Sequence, residues 1–278
     1  MQLAFSLCAA ILYGAADFCG GLATKRAAVL AVTVVSQFAG LLVLVAALPF
    51  FPGANHPLDY LWGTLAGLCG AGGIALLYHA LSIGKMGVVS PITAVLAAAL
   101  PVVVTAASGQ RLAPLQLAGI LCALIAIVVI SASFEDGVRE IRTAGVKEAV
   151  LSGLLLGLFY LFLAKAHADA GLHNLLAARV SSVAFLALLA AINRVSLRLE
   201  RRSLPLVVAA GVLDMSANVL YVLATFNGSL AIAAVLTSLY PASTVGLAAV
   251  ALRERLSRVQ WFGVGFALAG VAVIALRR

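Results

Sequence analysis

The chain has 278 residues, of which 64% are hydrophobic and 10% charged; its mean hydropathy is +1.14 and its formal net charge +8. Soluble domains carry about 25% charged and roughly 45–50% apolar residues, so this composition excludes a water-soluble domain of any size. The excess of Lys and Arg would suggest nucleic acid in a soluble protein; in a membrane chain it reports orientation instead, and no nucleic-acid partner is expected.

A helix needs about 20 apolar residues to cross a hydrocarbon core about 30 Å thick. Runs of that kind predict ten spans: 3 to 23, 29 to 50, 59 to 82, 86 to 107, 113 to 133, 148 to 168, 174 to 192, 204 to 226, 229 to 251 and 257 to 276. The first run begins at Leu3 with no basic segment before it, so it reads as a span kept in the mature protein and not as a signal peptide. The hydrophilic stretch Phe134 to Lys147, with Glu135, Asp136, Arg139, Glu140 and Arg142, is the expected joint between halves. It divides the chain into a first five-helix unit, 1–133, a connecting loop, 134–147, and a second five-helix unit, 148–278. Cys8, Cys19, Cys69 and Cys122 fall inside spans, where a free thiol packs as a small hydrophobe.

Assigning loops to alternate sides puts both termini and the even connections on one face. Of the 18 Lys and Arg, only Arg111, Lys165, Arg277 and Arg278 fall there, while Arg179 lies within a span and the rest gather on the opposite face. The positive-inside rule makes the basic face cytoplasmic and both termini external, in what is expected to be a bacterial inner membrane.

The two halves repeat one another. Moving the segment Ala80 to Ile130 forward by 144 positions lays Gly84 on Gly228, Thr93 on Thr237, Arg111-Leu112 on Arg255-Leu256, Gln116 on Gln260 and Gly119 on Gly263. A repeat of five spans must have its second copy upside down, the design of many alternating-access carriers. The expected fold is therefore an all-α integral membrane protein of ten transmembrane helices in two inverted five-helix repeats.

Ionisable groups inside spans are rare, since a charge at a helix centre costs about 2.5–3.5 kcal/mol on insertion scales. Asp17 lies in the first span and Asp214 in the eighth, and either could exchange a proton, as a proton-coupled carrier requires. The plainer reading of Asp17 is a structural acid capping a helix break at Gly20-Gly21. Asp214 shares a helical face with Asn218 and Tyr221. Arg179 could hold a substrate carboxylate or snorkel to the interface. Tyr13, Gln37, Tyr78, His79 and Tyr240 are further candidates for the lining of a substrate or ion pathway, with helix-helix hydrogen bonds as the alternative. Gly70 and Gly73 permit close helix approach, and Pro91, Pro101 and Pro241 remove backbone donors in the fourth and ninth spans. A central cavity is expected among spans one, four, eight and nine. Repeat pairing sets Asp214 against Gly70, and Asp17 against Tyr160 at an offset of 143.

Several of these segments resemble the EamA branch of the drug/metabolite transporter superfamily. The run Leu12-Tyr13-Gly14-Ala15-Ala16-Asp17-Phe18-Cys19-Gly20-Gly21 is similar to that family's opening helix. Leu236-Thr237-Ser238-Leu239-Tyr240-Pro241, Arg253-Glu254-Arg255-Leu256-Ser257, Gln260, Gly263 and Gly270-Val271 are similar to its strongest signature; Gln110 stands where the first copy would carry the loop acid. Asp17, eight residues before Lys25, resembles the first-helix acid of the small multidrug-resistance branch. The resemblance implies a secondary carrier of small metabolites such as amino acids, an exporter, with proton coupling as one option. The alternative is an uncoupled facilitator or a flippase of lipid-linked substrates. The expected partners are a small-molecule substrate and the bilayer, with the chain more readily a monomer than a dimer.

A membrane-embedded enzyme is the rival class. It would need clustered acids or metal ligands, yet His56, His79, His167 and His173 are scattered, and His167-Ala168-Asp169 with His173 reads as a hydrated loop. No phosphate-binding loop occurs, so ATP is not expected to drive the process directly, and no cofactor, metal or catalytic residue is expected.

Overall fold

A computed structural model describes residues 1–84, 86–109, 114–131, 144–167 and 169–251, together with residues 262 and 266. Every regular element among them is a helix: α1 (Gln2–Thr24), α2 (Val29–Ala47), α3 (Pro57–Ile83), α4 (Met86–Ala107), α5 (Pro114–Ser131), α6 (Val146–Leu163), α7 (His173–Ile192), α8 (Leu204–Phe226), α9 (Leu230–Thr237) and α10 (Tyr240–Ala251), with a 3-10 turn at Leu48–Phe50. Six of the described helices are long and apolar enough to cross a membrane: α1, α2 with its 3-10 extension, α3, α6, α7 and α8. The expected connector lies almost wholly outside the described residues, as do the Arg253-to-Ser257 motif, Gln260, Gly263 and most of the tenth span.

Helices α1 to α8 fall on the first eight expected runs, although α6 ends at Leu163 and not at 168. The ninth is split, because α9 stops at Thr237 and α10 starts at Tyr240. Pro241 explains the break: it has no N–H to give to the carbonyl four residues earlier, at Thr237, and its ring crowds that carbonyl. In the first copy the matching position is Ala97, and α4 continues through it. Pro91 and Pro101 leave α4 unbroken in chain order.

Large apolar side chains cover the outside, including Ile11, Phe38, Leu42, Leu61, Leu121, Leu151, Val180 and Leu188. On a water-facing surface these would form an aggregating patch; against acyl chains they are the matching solvent. Inside, many alanines and short polar side chains are buried alongside leucines and tyrosines. Ser152 Oγ donates to the Gly73 carbonyl at 2.7 Å, Thr93 Oγ1 to Ala149 at 3.2 Å and Thr244 Oγ1 to Gly14 at 3.2 Å. These bonds tie neighbouring helices where water is absent.

Glycines set the closest approaches. A Cβ on Gly67 would lie 2.1 Å from the Ala178 carbonyl of α7, and one on Gly211 would lie 2.0 Å from the Ser36 carbonyl of α2. Gly70 seats the Phe159 ring and Gly73 seats Leu156, both from α6. The helix pairs come in matched sets. α1 packs along α8 as α6 packs along α3, α4 lies on α6 as α9 and α10 lie on α1, and α2 meets α8 as α7 meets α3. Gly14 abuts Tyr240 and Thr244 in α10, and Gly157 abuts Ala97 and Leu100 in α4.

Candidate functional site

The described helices enclose a cavity with about 580 Å³ of empty space, a figure that includes its opening to solvent. α1 contributes Tyr13 and Asp17, α2 Gln37, and α3 Gly67, Gly70, Ile74 and Leu77. α6 adds Tyr160 beside Phe159 and Leu156, α7 adds Arg179 and Ser182, α8 adds Asp214 and Asn218, and α10 adds Tyr240. The cavity was expected among spans one, four, eight and nine; α4 supplies no described lining residue, and α2, α3, α6 and α7 take part instead. The glycines of α3 cause this, since they bring α6 and α7 close enough to form the wall.

One wall is a buried polar network. Arg179, 5% exposed, donates through Nη2 to Asp214 Oδ2 at 2.7 Å and through Nη1 to Gln37 Oε1. Ser182 Oγ donates to the same Gln37 oxygen at 3.0 Å. Asn218 Nδ2 donates to the Asp214 backbone carbonyl at 2.8 Å and to its carboxylate at 3.3 Å. Three helices are thereby joined through one guanidinium. Arg179 therefore neither snorkels to an interface nor stands free for a substrate carboxylate, because Asp214 already neutralises it at contact distance.

Asp17 is different. It is 5% exposed and lines the cavity, yet no hydrogen bond or cation from another described residue reaches its carboxylate. The expected helix break at Gly20-Gly21 does not occur, because α1 is continuous from Gln2 to Thr24. Gly20 takes the Tyr78 ring against its backbone, where a Cβ would lie 2.1 Å from Cζ. Thr24 Oγ1 donates to the Gly20 and Gly21 carbonyls at 3.1 Å. Asp17 caps nothing, and its carboxylate faces the cavity as an unengaged acceptor among the described residues.

Aromatic rings form another part of the lining. Tyr13 stands edge-on to both Tyr160 and Tyr240, with centroids 6.4 Å apart in each pair. Tyr221 packs behind Tyr160 at 4.5 Å. Tyr240 opens α10 just after the break and donates to the Ser90 carbonyl at 3.4 Å. The Tyr13 hydroxyl is buried with no partner among the described residues.

Tyr78, His79 and Tyr221 are not lining residues. Tyr78 and Tyr221 are fully buried in helix contacts, and His79 is exposed on the outer side of α3. Nine residues separate His79 from Gly70, which is half a turn in phase on a helix of 3.6 residues per turn. Gly73 seats α6 beside the cavity, Pro101 and Pro241 are buried in their helices, and the side chain of Pro91 lies outside the described residues. Tyr160, Ser182 and Phe159 were not singled out from sequence. Tyr160 had one signal, its repeat pairing with Asp17.

A second polar cluster lies away from the cavity, where the α2–α3 and α6–α7 connections meet. His167 Nδ1 is 2.9 Å from Asp59 Oδ1, His56 Nε2 is 3.0 Å from Asp169 Oδ1, and the two imidazoles stack at 4.2 Å. His167, Asp169 and His173 are expected in a hydrated loop; His173 turns to the Ala170 carbonyl at 2.9 Å, while Asp169 reaches across to His56 and His167 to Asp59.

The described part of the chain is thus helical, with six helices long and apolar enough to cross a membrane, and it encloses a cavity of mixed polar and aromatic lining. Residues 143–276 match the model of the EamA-like transporter family, a family of the drug/metabolite transporter superfamily. No curated protein matches the sequence. Among solved structures, one described only as a crystal structure of a protein covers 99% of this chain and 96% of its own, with a TM-score of 0.77 at 17% identity. That likeness shows a shared fold along the whole chain.

Proposed function

We propose that the chain is a secondary active carrier of small organic solutes, an exporter of metabolites such as amino acids, working by alternating access in a bacterial inner membrane. Its ten spans form two inverted five-helix repeats, and the central cavity is the transport site. The observation that carries this reading is that repeat-equivalent positions line the same cavity: Gly70 with Asp214 and Ile74 with Asn218 at an offset of 144, and Asp17 with Tyr160 at 143. A pseudo-symmetric site at a repeat interface suits rocking of one half against the other. The broken ninth span, which brings Tyr240 to the cavity, supports it too, since discontinuous helices commonly build such sites.

Within this reading the two acids have separate tasks. Asp214 holds Arg179 and thereby fixes the polar wall. Asp17 exchanges a proton or meets the cationic group of the solute, and is the coupling acid. The basic connections, with Lys25, Arg26, Arg194, Arg201 and Arg202 all exposed, face the cytoplasm, and the carrier acts as a monomer.

The test is a thermal-shift screen of the purified protein against amino acids, nucleosides and cationic drugs, because a ligand that binds only the folded state raises its apparent stability. At least one class should raise the melting temperature of the wild type and not that of Ala178→Trp, whose indole would occupy the cavity. A panel without effect, or one acting equally on the filled variant, would contradict the assignment of the cavity.

A further inference from the structure

We propose that His56, Asp59 and His167 form a binding site for a divalent transition-metal ion of the zinc type, with Asp169 beside His56 at its open edge. The site clasps the α2–α3 connection to the α6–α7 connection. One donor atom from each of His56, Asp59 and His167 lies within 4.8 Å of the others. Ligand bonds of about 2.0–2.2 Å keep the donors of one tetrahedral zinc ion about 3.3–3.6 Å apart. The 2.9 Å contact between His167 and Asp59 opens by a few tenths of an ångström, and any donors near the 4.8 Å limit close by about 1 Å, to hold one ion.

The chemistry of the donors selects the ion. Two imidazoles with carboxylates suit zinc, nickel or copper, whereas calcium and magnesium take oxygen ligands almost throughout.

An independent observation lies in Asp59. This residue is 0% exposed, and its Oδ2 has no hydrogen-bond partner among the described residues. Leaving a buried carboxylate oxygen unpaired is costly. Asp59 Oδ1 takes the His167 backbone N–H at 3.2 Å, which anchors the carboxylate while its 2.9 Å contact with the His167 ring gives way to the shared ion. Access is open from the other side, because the His167 and Asp169 side chains are 51% and 66% exposed.

The site would join two parts of the chain far apart in sequence. Ala54 N–H donates to the Asp169 carbonyl at 2.8 Å, and a Cβ on Gly53 would lie 2.3 Å from the Ala170 backbone, so the connections already interlock. An ion here adds a strut between the 1–133 unit and the 148–278 unit, on the face that the charge bias assigns to the outside. If those units rock during transport, the strut slows the cycle. That consequence rests on the carrier reading, but binding of the ion does not.

The experiment uses tag-free protein in detergent, stripped with chelator and titrated with Zn²⁺ by calorimetry and with Co²⁺ by visible absorbance. The expected result is saturable binding of one ion per chain and a raised melting temperature. His167→Ala and His56→Ala should each weaken binding at least about tenfold, since even outer-shell losses cost 10–100-fold. His79→Ala, on the outer side of α3, should bind as the wild type does. Both clasp histidines are partly exposed, so circular dichroism should show that the variants keep their helix content. Absence of saturable binding to the wild type, or equal affinity in wild type, His167→Ala and His56→Ala, would overturn the site. An unchanged solute screen beside metal binding would count against the carrier reading alone.

Discussion

α3 and α8 occupy matching places in the two halves, yet they present opposite chemistry. At an offset of 144, Gly67 pairs with Gly211, Gly70 with Asp214, Ile74 with Asn218 and Leu77 with Tyr221. The glycine that lets a neighbouring helix approach is kept in both, since Gly67 seats α7 and Gly211 seats α2. The positions about one, two and three turns further on have diverged, apolar on α3 and polar on α8. The comparison teaches that close packing demands the same small residue at both positions, whereas the buried partner of Arg179 is needed on α8 and not on α3.

The largest break in that comparison comes from Arg179→Ala. It leaves Asp214 buried without its cation, and loss of one partner of a buried pair costs about 3–5 kcal/mol. Thermal unfolding in detergent should show a marked fall, and Arg179→Met combined with Asp214→Leu should recover most of it. If the single and double variants are equally unstable, the pair is not what holds this wall.

Next come the shared glycines. Gly67→Leu and Gly211→Leu each push a side chain into a facing backbone carbonyl about 2 Å away, so both should destabilise by about 1–3 kcal/mol or more. Gly246 in α10 has nothing within 4 Å of its would-be Cβ, and Gly246→Ala should be neutral or gain about 0.5–1 kcal/mol from helix propensity. Equal unfolding temperatures for all three would refute the close-approach role.

A smaller effect attaches to the broken span. Pro241→Ala returns a donor to the Thr237 carbonyl and lets α9 run into α10 as α4 runs through Ala97. Stability should move by about 1 kcal/mol at most, while the solute-induced thermal shift should shrink as Tyr240 leaves the cavity. An undiminished shift would make the break a packing feature.

Much of this arrangement is legible from the chain alone. Spans one to eight follow from apolar runs of bilayer length, and α8 begins and ends where the run does. The sixth span ends at Leu163 instead of 168 because Lys165 sits over the Trp62 ring at 4.3 Å and His167 turns to Asp59. Such tertiary contacts leave no local trace. The same holds for the polar wall: Arg179 and Gln37 are 142 residues apart and Arg179 and Asp214 are 35 apart, so their types could be read but not their pairing. The helix break expected near Asp17 failed for a further reason. A glycine pair costs an α-helix only about 1 kcal/mol per residue, and the Tyr78 ring fills the space that Gly20 leaves.

The smallest structural effect and the sharpest functional one belong to Asp17→Asn. The replacement is nearly isosteric and removes no described bond, so stability should change by about 1 kcal/mol or less. With a solute found by the thermal-shift screen, flux into proteoliposomes is measured with and without an imposed pH gradient, for the wild type, for Asp17→Asn and for Arg179→Met with Asp214→Leu. The division of labour between the acids predicts that the gradient accelerates the wild type and the double variant and leaves Asp17→Asn unaffected. Gradient-driven flux that survives in Asp17→Asn and disappears in the double variant would contradict it.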